Sequence, residues 1–310
     1  MKSVLASLLA VVLGLSGDPA APAPAPETPA VDEVVALAEV PAREASAETA
    51  AAPVLPAGPA LPYRKVLRPH RLVLVPGDCA TAAGPLDVMI HFHGAPEHVE
   101  AALARSGLRV ALAIVNLGAG SGRYESAFTQ DGSLARWLTG METLLKQECG
   151  GRARGRVALS SWSAGYGAIY RILANEQDAK LVDAVLLADG LHAGYEPGSS
   201  TRVNALQMAP FTRFAERAAR GDAIMALTHT NIRPPRYASS AATADHLLAA
   251  TGTARTVEQS AGPRTMRLES RADAEGLHVR GFAGTGPDEH CDHLYALDAL
   301  TWQFLGADWR

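Results

Sequence analysis

The segment 156–173, RVALSSWSAGYGAIYRIL, constrains this chain more than any other. Val157, Ala158 and Leu159 form an apolar run of the kind a sheet buries, and residues 168–173 carry helical spacing. Between them lies a tight turn of small residues centred on Ser163. A chain that leaves a strand and enters a helix within so few residues brings the two backbones close together. Only small side chains fit there, and Ala164, Gly165 and Gly167 supply them. Such a turn lifts one hydroxyl, that of Ser163, above the sheet edge and aims the first backbone N–H groups of the helix at the same point.

The amino terminus stands apart from this. Met1, Lys2 and Ser3 make a short positive region, residues 4–15 are apolar, and Ser16-Gly17 and Ala20-Ala21 offer small-residue cleavage sites. That pattern is a secretory signal over residues 1–17, too short for a membrane span. Residues 18–60 are Ala, Pro and Glu with almost no aromatic residue, a composition that cannot bury enough surface to fold. They predict a disordered tether, with a transient helix at most over 34–40. The tether holds seven acidic residues against Arg43, so with Lys2 set aside the remaining chain is near +1 from a total of −4. A near-neutral body carries no electrostatic footprint for nucleic acid. The chain is therefore expected to be exported, with no stable membrane span after signal cleavage. Cys79, Cys149 and Cys291 allow at most one internal disulfide, whose pairing the sequence leaves open.

Residues 61–310 read as one folded domain. Apolar runs at 71–75, 86–92, 110–115, 157–159, 182–188 and 223–227 predict strands, and helical patterns at 96–106, 134–149, 210–219 and 243–250 fall among them. Two further strands are expected at 266–270 and 277–282, and an amphipathic helix over 294–305 closes the chain. Residues 116–132 are Gly- and Ser-rich and read as a long loop. Strands that are continuously apolar and alternate with helices predict a mostly parallel α/β sheet with helices on both faces. Ligands of such sheets bind beyond the carboxyl ends of the strands. The residues at those ends are His93 and Gly94, the 116–132 loop, Ser163, Asp189, His229 and His290.

A serine hydroxyl attacks a carbonyl only when a base takes its proton, and an imidazole held by a carboxylate is the usual arrangement. The turn has the G-x-S-x-G pattern with Ser161 in place of the first glycine, and Ser163, Asp189 and His290 follow in chain order. The chain thus resembles the α/β-hydrolases of the secreted esterase and lipase type over roughly residues 61–310. The resemblance implies Ser163 as nucleophile, Asp189 as orienting acid and His290 as base, with no cofactor and no metal. Many such enzymes carry the acid one strand later, but Thr228, His229, Thr230 and Asn231 offer no carboxylate there. His290 is preferred over His293 because Pro287 suits the first position of the last helix, which sets His290 in its first turn. The oxyanion donors implied are the N–H of Ala164 and that of Gly94 or Ala95, with Gly94 letting the backbone approach closely. His93, Tyr124, Phe128 and Trp162 are the expected substrate-pocket residues, and His91 is expected to point into the sheet.

The substrate expected is a small or polymeric ester. A peptidase, an amidase or an acyltransferase would use the same residues. Two other classes compete. His91-Phe92-His93 together with His290 and His293 has the spacing of a zinc site, although no H-E-x-x-H is present. A non-catalytic surface protein on the same scaffold is the other, since fold alone does not fix function.

Overall fold

The computed structural model describes residues 63–68 and 71–309. The expected signal peptide, tether and domain start at residue 61 lie outside these residues. In chain order the elements are β1 (Tyr63–Arg68), β2 (Arg71–Pro76), β3 (Leu86–Phe92), α1 (Pro96–Ser106), β4 (Val110–Val115), α2 (Ser121–Ala127) and α3 (Ser133–Glu148). Then come β5 (Arg154–Trp162), a 3-10 turn (Ser163–Gly165), α4 (Tyr166–Ala174), α5 (Glu176–Ala179), β6 (Ala184–Ala188), α6 (Ala205–Ala219), β7 (Ile224–His229) and α7 (Ser240–Thr251). The chain ends with β8 (Thr256–Ala261), β9 (Arg267–Ala274), β10 (Leu277–Phe282), α8 (Pro287–Tyr295), α9 (Leu297–Leu300) and two 3-10 turns.

The strands form one ten-stranded sheet in the order β1-β2-β4-β3-β5-β6-β7-β10-β9-β8. From β4 to β10 every neighbouring pair is parallel. Antiparallel pairs finish both edges. Parallel strands are covered on both faces, and β4 and β6 are buried along their whole length. Alternate residues of β3 feed two separate cores. Val88, Ile90 and Phe92 join Trp137, Ile169, Phe211 and Leu247 on one face, and Met89 joins Val99, Leu103, Leu294 and Trp302 on the other. The helices fall on these faces because their apolar positions recur every three or four residues. In α3, Leu134, Trp137, Leu138, Met141, Leu144 and Leu145 are the buried set.

Cys79, in the turn after β2, is disulfide-bonded to Cys149 at the end of α3, and Cys291 is free. This clips the edge of the sheet to a helix on its face.

Several sequence expectations are corrected. The 116–132 loop contains α2, which buries Ser121, Tyr124 and Phe128 on one side at helical spacing despite its glycines and serines. Helix α6 begins at Ala205 rather than Pro210, capped by Asn204, whose side chain accepts from the N–H groups of Leu206 and Gln207. Pro210 is tolerated inside it because Leu206, whose carbonyl loses its helical partner, is 86% exposed and open to water. The final helix is broken: Ala296, at φ −123° and ψ 27°, ends α8, and the chain continues in short turns to Trp309. Strands β1 and β8 were not expected. In β8 the large apolar residue, Val257, faces solvent at 78% exposure, so the strand has no apolar face to announce it.

Candidate active site

Ser163 directly follows β5 and opens the 3-10 turn, with φ at 47°. The glycines around it are required by sterics. A Cβ on Gly165 would sit 2.1 Å from the Phe92 carbonyl oxygen, and one on Gly167 would sit 2.5 Å from that of Ser121. The turn therefore brings α4 hard against β3 and α2. Ser161, where the usual motif has glycine, is fully buried, and its hydroxyl has no hydrogen-bond partner among the described residues. A side chain of this size is accommodated there.

Asp189 directly follows the next strand, β6, with φ at 41°, and is 2% exposed. The residue after it presses on the serine turn: a Cβ on Gly190 would lie 2.4–2.8 Å from the Ser163 backbone. Each carboxylate oxygen accepts two hydrogen bonds. Oδ1 takes the Thr230 N–H at 2.9 Å and the Ser240 hydroxyl at 2.5 Å. Oδ2 takes the Thr230 hydroxyl at 2.9 Å and pairs with His290 Nδ1 at 2.7 Å. Burial alone would raise the pKa of this carboxyl. The bond to His290, the nearby His293 and the Ser240 hydroxyl outweigh it and hold the carboxyl below the ordinary range.

His290 lies in the first turn of α8, which begins at Pro287. A carboxylate only accepts, so the proton of a neutral His290 sits on Nδ1 and leaves Nε2 with its lone pair. Trp162, the residue before Ser163, ties His290 to the turn. Its Nε1–H donates to the His290 carbonyl at 3.0 Å, and the two rings lie 4.8 Å apart. His293 faces elsewhere. Its Nδ1 meets the Thr228 hydroxyl at 2.7 Å, its ring lies edge-on to Phe282, and burial pushes its pKa down to about 4.

Strand β3, between β4 and β5, ends in His93 (φ 69°) and Gly94 (φ 113°). Gly94 packs on α8, where a Cβ would meet Leu294 at 2.7 Å. Among the described residues no acceptor takes the N–H of Gly94 or Ala95. The His93 ring stacks on Trp162, 5.1 Å away and 6° from parallel, and its Nδ1 meets the Tyr124 hydroxyl at 2.9 Å. Burial, then the nearby His290, lowers its pKa to about 4, so it stays neutral.

Ser163, Asp189 and His290 follow, in that order, the ends of β5, β6 and β10 of a largely parallel sheet, with the serine on a strained strand-to-helix turn. This is the α/β-hydrolase fold.

In this fold, the expected pocket walls Tyr124 and Phe128 lie elsewhere. Phe128 packs edge-on against Phe92 in the core, and Tyr124, fully buried, braces His93 and the Leu117 N–H. They moved inward because α2 turns that side of the segment toward the sheet. A cavity of about 440 Å³ lies among the segments after β6 and β7 and the start of α7, lined by Tyr195, Thr201, Asn231, Arg233, Ser239 and Asp245, and neither Ser163 nor His290 lines it. His91 points into the sheet, bonded to Ser160 and to the His93 carbonyl, which separates it from the His93 side chain. Among the described residues no group of three metal-ligating side chains is assembled. Thr230 and Ser240 had no sequence signal beyond the position of Thr230 just past a strand end.

No protein family and no curated protein matches this chain. Solved structures similar to it include a cold-adapted esterase from an Arctic intertidal metagenomic library, 12% identical over 74% of this chain and 87% of that one, with a TM-score of 0.38. An acetyl xylan esterase from Aspergillus awamori is 13% identical over 76% and 99%, with a TM-score of 0.41. An acylaminoacyl peptidase from Pyrococcus horikoshii is 13% identical over 77% of this chain and 40% of that one, with a TM-score of 0.42.

Proposed function

We propose that the protein is an exported serine hydrolase that cleaves carboxylic esters through an acyl-enzyme. The observation that carries this reading is the 2.7 Å contact of His290 Nδ1 with the buried Asp189 carboxylate, in a loop packed directly on the Ser163 turn. In the proposed reaction His290 Nε2 takes the Ser163 proton as Oγ attacks the carbonyl carbon. The N–H groups of Ala164 and of Gly94 or Ala95 receive the negative charge that develops on the carbonyl oxygen. His290 then returns the proton to the departing alkoxide, and water repeats the sequence to release the acid. The Trp162 indole, bonded to the His290 carbonyl, keeps the ring from swinging away during proton transfer.

Export is supported by the Cys79–Cys149 disulfide, since such bonds persist in oxidising compartments. Among the described residues no helix is long and apolar enough to cross a membrane. The zinc reading loses ground because both ring nitrogens of His91 are bonded to protein, and no group of three ligating side chains forms among the described residues.

A fluorophosphonate probe tests the proposal. It is expected to label the purified protein and not its Ser163→Ala variant, and a panel of ester and amide substrates of increasing acyl length then ranks the reaction class. Equal labelling of both proteins, or of neither, removes the serine-hydrolase reading.

A further inference from the structure

The Asp189 carboxylate is held by more than the base. Its four lone-pair positions are all filled, and three of the four donors come from two residues outside the serine, acid and base. Thr230 supplies a backbone N–H and a hydroxyl, one to each oxygen, and Ser240 supplies a hydroxyl. Both residues are buried, at 0% and 4% exposure.

We propose that Thr230 and Ser240 are positioning residues, a pair of hydroxyls that locks the Asp189 carboxylate in the plane that directs Oδ2 at His290. The inference rests on the serine-hydrolase reading for its link to turnover.

Two details make the hydroxyls directional. Thr230 Oγ1 receives the Ile232 N–H at 3.4 Å, which leaves its own proton for Asp189. Ser239 and Ser240 divide the work at the start of α7. The Ser239 hydroxyl caps the helix by accepting from the Ala242 N–H, which frees the Ser240 hydroxyl to turn inward to the acid. Thr230 is itself fixed from behind. Its carbonyl accepts from His229 Nδ1, and His229 Nε2 accepts from the Arg255 guanidinium, which also binds Asp245. The end of β7, which has no carboxylate, thus contributes the donors that hold the carboxylate at the end of β6.

The carboxylate needs this support. The Asp189 backbone is in the left-handed region, and Gly190 must stay against Ser163, so the loop has no freedom to correct a rotated carboxyl. With the hydroxyls gone, the group turns about its Cβ–Cγ bond, and His290 loses the fixed partner that keeps its proton on Nδ1. The pH profile of turnover changes with that coupling.

The test compares Thr230→Val, Ser240→Ala, their double variant and the conservative Thr230→Ser in the full chain. The readings are kcat and KM for p-nitrophenyl acetate, the pH profile, the melting temperature and the far-downfield proton resonance of His290 Nδ1. Each single removal is expected to lower kcat by roughly 10- to 100-fold, the worth of one hydrogen bond to a charged group, with KM unchanged. The pH profile should change, the downfield resonance should broaden or shift, and Thr230→Ser should restore all three. The proposal is overturned if folded variants keep the parent kcat, profile and resonance. It is equally overturned if activity falls only in step with the melting temperature, with profile and resonance unmoved. Because the resonance reports the bond without turnover, a parent protein that hydrolyses no ester while its variants lose the resonance would retire the hydrolase reading and leave the positioning role standing.

Discussion

Replacing Asp189 by asparagine asks whether the acid acts by its charge and orientation or only by filling space. The structure decides which way the new amide must point. Oδ1 accepts the Thr230 backbone N–H, a donor that cannot reverse, so the amide oxygen has to remain there. The amide nitrogen therefore takes the Oδ2 position, facing the Thr230 hydroxyl and His290 Nδ1. Both of those groups can turn from donor to acceptor, so the two bonds at this position survive with their direction reversed, while those to Oδ1 from Thr230 N–H and Ser240 keep theirs. The consequence for His290 is a tautomer with its proton on Nε2, the nitrogen that would have to accept from Ser163. The same exchange in serine proteases costs about 10⁴ in kcat, close to 5.5 kcal/mol of barrier. Folding should suffer much less, by about 1–2 kcal/mol for the lost charge assistance. Asp189→Ala, by contrast, strands the buried Thr230 N–H and several hydroxyl partners, at about 1–3 kcal/mol for each group left unpaired. Hydrolysis of p-nitrophenyl acetate and urea unfolding of the two variants measure these quantities. An Asp189→Asn protein that is stable and turns over within tenfold of the parent would refute the orienting role.

His290→Ala is expected to abolish ester hydrolysis, while His293→Ala should stay within about tenfold of the parent rate and lower the melting temperature through the cavity it leaves. A dead His293 variant beside an active His290 variant reverses the assignment. Stability should also depend on pH through the buried imidazoles of His91, His93 and His293, whose pKa values burial lowers to about 3, 4 and 4. They are neutral when folded and take up protons near 6.5 when unfolded, so their contribution is complete above about 6.5 and is lost as pH falls toward 4, at about 1.4 kcal/mol per pH unit for each. A urea midpoint that stays level between pH 7 and pH 5 contradicts this. Changing both Cys79 and Cys149 to serine removes a cross-link spanning 70 residues and should cost up to roughly 4 kcal/mol at 25 °C, read from the same urea curves. No change in the midpoint would show that the unfolded chain gains nothing from the longer loop.

What the sequence disclosed follows from how local each feature is. The Ser163 turn was legible because its small residues answer a steric demand within one strand and one helix. The place of His290 was legible through Pro287, which sets the start of α8 three residues earlier. Tyr124 and Phe128 were misread because glycine and serine composition outweighed the helical spacing they share with Ser121. Thr230 and Ser240 carry ordinary hydroxyls, and only the folding of β7 and α7 around Asp189 gives them a task. The Cys79–Cys149 pairing depends on the approach of a turn and a helix end far apart in the chain, which no spacing encodes.

Three neighbouring strands, β3, β5 and β6, are each followed at once by a non-glycine residue with a left-handed backbone: His93, Ser163 and Asp189. Each such conformation costs on the order of 1–3 kcal/mol, and glycine would relieve it. At Asp189 and His93 that gain is offset by the hydrogen bonds and ring contacts the side chains make, so selection for thermal endurance alone should drift toward glycine at Ser163. A library screened for heat resistance without an activity counter-screen would return robust, inert proteins with that substitution first.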